Sequence, residues 1–127
     1  MNHFQLLLAS NINSEENMLH AMENLKTIFP SGIRFSSILS SKAVNKEGKE
    51  VPGSSPYLNA ICQASTEFPM DQVRFILKDM ENQMGRKRGT ESKGMVTIDL
   101  DLVLWNDEIL RPWDLAQVFY QNCLKSL

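Results

Sequence analysis

Thr97-Ile98-Asp99-Leu100-Asp101-Leu102-Val103-Leu104-Trp105 is the stretch from which the fold of this chain can be worked out. Residues 96–105 are rich in β-branched, aliphatic and aromatic side chains, which predicts a buried strand. Because side chains alternate along a strand, one face is expected to carry Ile98, Leu100, Leu102 and Leu104. The opposite face is expected to carry Thr97, Asp99, Asp101, Val103 and Trp105.

The two aspartates of this strand carry the first indication of function. Their Cα atoms lie roughly 6.5–7 Å apart on one face, so two like charges repel each other and lose hydration there. A hard divalent cation, or a pair of them carrying the phosphates of a nucleotide, would compensate that charge. The alternative is an edge strand with a wet face, on which both acids are simply solvated. The Asp-x-Asp pattern alone favours neither reading.

The bulk composition fits one soluble globular domain covering residues 1–127. Of the 127 residues, 43% are hydrophobic and 22% are charged, which is ordinary for such a domain. The net charge of −2 predicts no nucleic-acid partner, because the strong basic field of such binders is missing. Cys62 and Cys123 match no metal motif and are expected to be reduced and buried. No segment has transmembrane length or the features of a signal peptide, so we expect a cytoplasmic protein without membrane contact.

The order of predicted elements indicates an α+β fold. Strands are expected at residues 3–9, 33–43, 57–66 and 96–105, the second and third of which pair. Helices are expected up to about residue 29, from residue 69 to about 84, and from residue 112 onward. The order β-α-β-β-α-β followed by a helix is that of a ferredoxin-like split β-α-β sandwich, in which helices cover an antiparallel sheet.

Two polar loops separate these elements and are expected to be mobile. Residues 44–55 and 86–95 contain glycine and lack apolar periodicity. The second loop opens with Arg86-Lys87-Arg88 and leads into the acidic strand, so metal-bound phosphates could bridge the two. A solvated basic turn is the alternative.

Asn59 is unusual within the predicted strand 57–66, because asparagine is depleted in strands. Its amide offers donors and an acceptor that suit the edge of a flat heterocycle. The alternative is a strand-end or bulge residue that is hydrogen-bonded to local backbone.

Four short segments together resemble the 6-hydroxymethyl-7,8-dihydropterin pyrophosphokinase family. The resembling segments are Ala9-Ser10-Asn11, Pro56-Tyr57-Leu58-Asn59-Ala60, Glu81 with Gly85-Arg86-Lys87-Arg88, and Ile98-Asp99-Leu100-Asp101-Leu102. Their order and spacing fit the family over roughly residues 3–112, and the combination is far more specific than any one segment.

The resemblance implies a function and a set of site residues. The family transfers a pyrophosphoryl group from ATP to the hydroxymethyl group of a reduced pterin in folate biosynthesis, and AMP is released. Asp99 and Asp101 would hold two Mg²⁺ ions. Asn59 would read the pterin ring and Tyr57 would line its pocket. The nucleotide side would be formed by Glu81, Arg86 and Arg88, of which the two arginines would assist catalysis.

The sequence also departs from the family pattern. Val96 occupies a position where the family has arginine, and Pro112-Trp113 stands in place of Pro-His after a shortened connection. A downstream arginine is missing, and the chain is expected to be C-terminally truncated relative to the family. Lys93, Arg111 or the loop arginines are candidates to replace the missing cations. The sequence is therefore compatible with an enzyme, attenuated or not, with a catalytically silent relative that binds nucleotide, pterin or a protein, and with an enzyme of altered substrate.

Overall fold

The structure, a computed structural model, describes residues 1–43, 47, 49 and 55–127 of the chain. Its strands are Asn2–Ser10 (β1), Arg34–Phe35 (β2), Leu39–Ser41 (β3), Tyr57–Thr66 (β4), Asp99–Trp105 (β5) and Glu108–Ile109 (β6). Its helices are Ser14–Ile28 (α1), Met70–Gln83 (α2), Pro112–Leu115 (α3) and Val118–Leu124 (α4). A 3-10 turn covers Gly89–Ser92. None of the helices in this described part has the length and apolar character that a membrane span requires.

The strands form one antiparallel sheet with the order β2-β4-β1-β5-β6, and β3 also pairs with β4. β1 lies in the middle and pairs with β4 on one side and with β5 on the other. Its Leu6-Leu7-Leu8 run is buried on both faces, as expected of a central strand. The topology confirms the predicted α+β, ferredoxin-like sandwich.

One face of the sheet, here called the helix face, is covered by α1 and α2. The helices contribute apolar residues at helical spacing, such as Met18, Met22 and Leu25 of α1, which confirms the helix predicted up to about residue 29. The sheet contributes alternate residues of its three long strands. These are Phe4, Leu6 and Leu8 of β1, Ala60, Cys62 and Ala64 of β4, and Leu100 and Leu102 of β5.

The opposite face, here called the site face, has a smaller apolar cluster. α4 packs Tyr120 and Cys123 against Leu7, Ile61 and Val103. The predicted C-terminal helix is therefore real but divided, because α3 ends at Leu115 and α4 starts three residues later. Val118, at the start of α4, does not take part in this packing, since 74% of its surface is exposed.

A bulge in β5 overturns the predicted faces of its last residues. The register with β1 shifts between Gln5 and Leu6, which inserts Val103 as an extra residue. Leu104 therefore packs on the site face instead of the helix face. Trp105 turns the other way and stacks on Phe4 in the helix-face core, with ring centroids 5.8 Å apart. Strict alternation from residue 96 to 105 could not foresee this change.

Two other predicted elements differ in extent. The strand expected at residues 33–43 consists of the short pieces β2 and β3, and β5 begins at Asp99 instead of residue 96. Residues 94–96 instead contact Asn11, which explains the late start. Most of the predicted loop 44–55 lies outside the described residues.

Candidate active site

The candidate site lies across the end of the sheet where β1 finishes and β5 begins. Ala9 is the register partner of Asn59 on one side and of Asp99 on the other. Because neighbouring strands are about 4.8 Å apart, Asn59 and Asp99 lie roughly 10 Å from each other across one row. Ala9, between them, is buried and carries only a small side chain. The structure thus brings three predicted site residues, Asn59, Tyr57 and Asp99, to one end of the site face.

Asp99 and Asp101 share the site face, as the alternation along the strand predicts. Burial, and after it the charge of Asp99, raise the pKa of the Asp101 carboxyl to about 7. A raised pKa means that the negative charge is poorly compensated by its surroundings. A divalent cation would supply that compensation, so the donor set fits the cation that the sequence predicts.

The described residues offer this cation only two carboxylates from β5. No group of three or more histidine, cysteine, aspartate or glutamate side chains within the described ranges is arranged to hold a metal ion. Two carboxylates are nevertheless the usual protein contribution to a Mg²⁺ site, because this ion keeps water and takes substrate phosphates as further ligands.

Arg86 connects the basic turn to the acidic strand. Its Nη1 donates a hydrogen bond of 2.8 Å to Asp99 Oδ1. Its Nε is buried and has no hydrogen-bond partner among the described residues. An unpaired buried donor is costly, so the Nε end of this side chain is held less firmly than its Nη1 end.

Glu81, on α2, anchors the same turn through its contacts with Arg86 and Arg88. Only 1% of its surface is exposed. Its carboxylate accepts a hydrogen bond from the Leu100 amide at 2.7 Å, forms a short ion pair with Arg88, and lies 3.4 Å from Arg86 Nη1. The acid that the resemblance assigned to the nucleotide side is thus buried behind the two arginines and holds them against β5.

Arg111 flanks the other aspartate. Its Nη1 lies 3.8 Å from Asp101 Oδ1, and its Nε donates to Oδ2 of the buried Asp114. Of the candidates to replace the missing cations, the structure therefore places Arg111 beside the acidic pair. Lys93 ends the 3-10 turn and is exposed.

A pocket of about 380 Å³ adjoins Asp101 at the outer edge of β5, between α2 and the segment around Leu110. Its charged lining consists of Arg74, Lys78, Arg111 and Asp101. Sequence reasoning missed Arg74 and Lys78. Their spacing of four residues on α2, on either side of the core residue Leu77, was the available signal that both face β5.

Asn11 holds the end of the basic loop onto β1. Its side chain donates a hydrogen bond to Gly94 O at 2.9 Å and accepts one from the backbone N–H of Val96 at 2.6 Å. The backbone N–H of Asn11 donates to Val96 O. The Ala9-Ser10-Asn11 segment is therefore a clamp on the entrance to β5. Because the clamp uses the backbone of Val96, it makes no demand on that side chain.

The amide of Asn59 is already engaged within the sheet. Its Nδ2 donates to Ser41 Oγ at 2.7 Å and to Leu39 O at 3.3 Å, and 2% of the residue is exposed. These bonds agree with the alternative of a residue tied to nearby backbone. They leave the amide oxygen as the group with capacity for a ligand. Nearby, burial and then the charge of Asp99 raise the pKa of Tyr57.

Fold and site define an α+β domain with an acidic pair between arginines at one end of an antiparallel sheet. The chain belongs to the 7,8-dihydro-6-hydroxymethylpterin-pyrophosphokinase family, whose model matches residues 5–126. The family resemblance noted from four short segments is thereby confirmed.

Two curated relatives illustrate the similarity. A folate synthesis bifunctional protein of Chlamydia muridarum (strain MoPn / Nigg) is 32% identical over 102 residues, which are 80% of this chain and 22% of that protein. The 2-amino-4-hydroxy-6-hydroxymethyldihydropteridine pyrophosphokinase of Haemophilus influenzae (strain ATCC 51907 / DSM 11121 / KW20 / Rd) is 31% identical over 107 residues, which are 84% of this chain and 64% of that protein. The chain therefore spans less than two thirds of the length of either relative.

Proposed function

We propose that this protein transfers a pyrophosphoryl group from ATP to 6-hydroxymethyl-7,8-dihydropterin in folate biosynthesis, in a Mg²⁺-dependent reaction that releases AMP. The observation that carries the proposal is the pair Asp99 and Asp101 with an arginine at each member, Arg86 at 2.8 Å and Arg111 at 3.8 Å. Phosphoryl transfer is catalysed almost entirely by positioning and by cations aimed at the phosphates. This arrangement supplies both, in a chain of the appropriate family.

Asp99 and Asp101 are the residues that would hold the metal, with two Mg²⁺ ions expected. When bound, Mg²⁺ neutralises and orients the phosphates of the nucleotide. The aspartates orient what they bind because both are fixed on a strand whose other face is packed in the helix-face core. Without nucleotide the site should hold Mg²⁺ weakly, because two carboxylates leave most positions of the ion to water.

The triphosphate is expected along the arginines. Arg88, whose side chain is 40% exposed, lies next to Arg86, and both contact Glu81. The pocket beside Asp101 continues this positive lining through Arg74 and Lys78. A nucleotide bridging this pocket and the two aspartates would meet cations along its phosphates, which is the arrangement that phosphate binding requires.

The reduced pterin is expected on the site face, on the β4 side of the acidic pair. Asn59 and Tyr57 offer polar groups there, with only the small side chain of Ala9 between Asn59 and Asp99 in the row. With Asn59 roughly 10 Å from Asp99, a ring held by the amide oxygen of Asn59 would extend its hydroxymethyl group toward the metal acids. The ring then needs few further contacts to be oriented for attack.

A catalytically silent relative is the second candidate. The feature that favours it is that Val96 and Trp113 stand where the family resemblance leads one to expect arginine and histidine, so the site has fewer groups to stabilise the transition state. Such a protein would still bind nucleotide, because the aspartates, Arg86 and Arg111 remain together.

One experiment separates the two candidates. The protein is mixed with Mg²⁺, ATP and the reduced pterin alcohol, and AMP is measured, with the Asp101→Asn variant as the matched control. AMP from the native protein and not from the variant supports the enzyme. If neither makes AMP while calorimetry still detects Mg²⁺-dependent binding of an ATP analogue to the native protein, the silent relative is the better description. Equal binding of the analogue with and without Mg²⁺ would contradict the metal site itself.

A further inference from the structure

We propose that Asp114 is a positioning residue that holds Arg111 over Asp101, so that Arg111 can act as the phosphate-directed cation on that side of the site. The inference rests on the proposed function. Neither the Asp-x-Asp motif nor the basic turn includes Asp114, and sequence reasoning gave it no role.

The geometry around Asp114 is that of an anchor. The side chain of Asp114 is 11% exposed, whereas the side chain of Arg111 is 47% exposed. The Nε of Arg111 donates to Oδ2 of Asp114, and Nη1 of the same planar group lies 3.8 Å from Asp101 Oδ1. A guanidinium is rigid and planar, so fixing its Nε edge fixes the direction in which the Nη1 edge points.

The need for an anchor follows from the exposure of Arg111. A half-exposed arginine has roughly 2 kcal/mol of rotamer entropy to lose when it binds a phosphate. An arginine already held by a buried carboxylate has lost much of this freedom before the ligand arrives, which improves both binding and orientation. The buried Asp114 is therefore more useful to the site than a second exposed acid would be.

Arg86 provides an internal comparison. Its Nη1 donates a hydrogen bond to Asp99 at 2.8 Å, whereas Arg111 Nη1 is 3.8 Å from Asp101. Arg86 is held through Nη1 by Glu81 and Asp99, and its Nε has no partner in the described part of the chain. Each arginine thus has a buried acid behind it, yet only Arg111 depends on an Nε bond to that acid. Removal of Asp114 should affect Arg111 and leave Arg86 unchanged.

The test is a double-mutant cycle on kcat and KM for ATP. We expect Arg111→Ala to lower kcat about 100-fold and Asp114→Asn to lower it about 10-fold, in the range that losses of supporting partners produce around reactive centres. Because Asp114 acts through Arg111, the double variant should be no slower than Arg111→Ala alone. Asp107→Asn, which makes the same chemical change at an exposed position, should leave kcat and the melting temperature unchanged.

Losses that multiply in the double variant would overturn the inference, as would full activity of Asp114→Asn. A second readout is independent of turnover. The Nε–H proton of Arg111 should be protected from exchange in the native protein and lose this protection in Asp114→Asn, while the Nε–H of Arg86 does not change. If the native protein makes no AMP, the proposed function fails, and the Nε–H measurement still decides whether Asp114 holds Arg111.

The conservative variant Asp114→Glu covers the case in which Asp114→Asn does not fold. An Asp114→Glu variant that folds, has an unchanged melting temperature, a lowered kcat and less protection of the Arg111 Nε–H from exchange supports the inference. Rapid exchange of the Arg111 Nε–H in the native protein contradicts it.

Discussion

The two faces of the sheet are built from alternate residues of the same strands but differ in composition. On the helix face the apolar residues form a continuous cluster from Phe4 at one end of β1 to Leu8 and Leu100 near the other. On the site face the apolar cluster occupies only the middle, around Tyr120. Asp99 and Asp101 lie at one end of that face and Gln5 and Gln63 toward the other.

This difference indicates that neighbouring residues of one strand have different roles, one in stability and the other in the candidate site. The helix face stabilises the sheet, since burial of apolar area is the main favourable term in folding. With that stability supplied by one face, the other can carry like charges that would otherwise be destabilising. Leu100 and Asp101 are adjacent in sequence and yet belong to these different tasks.

The largest effect is expected from a truncation on the helix face. Leu8 is completely buried between the helices and the sheet, so Leu8→Ala should lower the free energy of unfolding by about 3 to 5 kcal/mol. Gln63→Ala, on the site face, removes a hydrogen bond to Gln5 and should cost about 1 kcal/mol. Urea denaturation measures both. Equal losses would mean that the two faces contribute alike to stability.

On the site face of β5 we expect a substitution to lower activity strongly and to leave stability intact. Asp101→Asn should lower kcat/KM by about 100-fold or more, because a metal-binding carboxylate is lost. Its stability should be unchanged or higher, since one of two neighbouring negative charges disappears. Steady-state kinetics and thermal unfolding on the same preparation measure the pair of effects. A loss of stability as large as that of Leu8→Ala would contradict a purely functional role.

Periodicity was sufficient to predict most of the fold. The helix that ends near residue 29 and the strand over Tyr57–Thr66 were both expected, because regular elements bury regular patterns. The bulge at Val103 was not, since an extra residue in one strand is determined by its pairing with β1 and not by its own sequence.

Without the family resemblance, the candidate site was predictable only where residues are close in sequence. Asp99 and Asp101 are two positions apart, so alternation alone put them on one face. Arg111 and Asp114 lie ten and thirteen residues beyond Asp101, and their approach to it depends on the turn after β5 and on the start of α3. A contact that the tertiary fold creates leaves little pattern in a single sequence.

Glu81 is the exception to the division between faces, because a buried charge lies on the otherwise apolar side. Glu81→Gln should lower the free energy of unfolding by about 2 kcal/mol, since the bonds to the Leu100 amide and Arg88 lose their ionic character. Glu91→Gln, an exposed change in the 3-10 turn, should stay within about 0.5 kcal/mol of the native protein. Chemical denaturation compares them. Equal stability of the two variants would mean that Glu81 does not anchor the turn.

The smallest effect is expected at the entrance to β5, where the sequence lacks a cation that the family resemblance leads one to expect. Val96→Arg should raise kcat several-fold while changing KM for ATP less, because a cation aimed at developing charge acts more on the transition state than on the bound substrate. The fold should tolerate the change, since the clamp from Asn11 uses the backbone of Val96. Lys93→Ala, nearby and exposed, is the matched control and should alter neither parameter. A Val96→Arg variant that tightens ATP binding without raising kcat would show that the added charge stabilises bound ATP and not the transition state. Arg111 would then already provide the cation that the transition state requires.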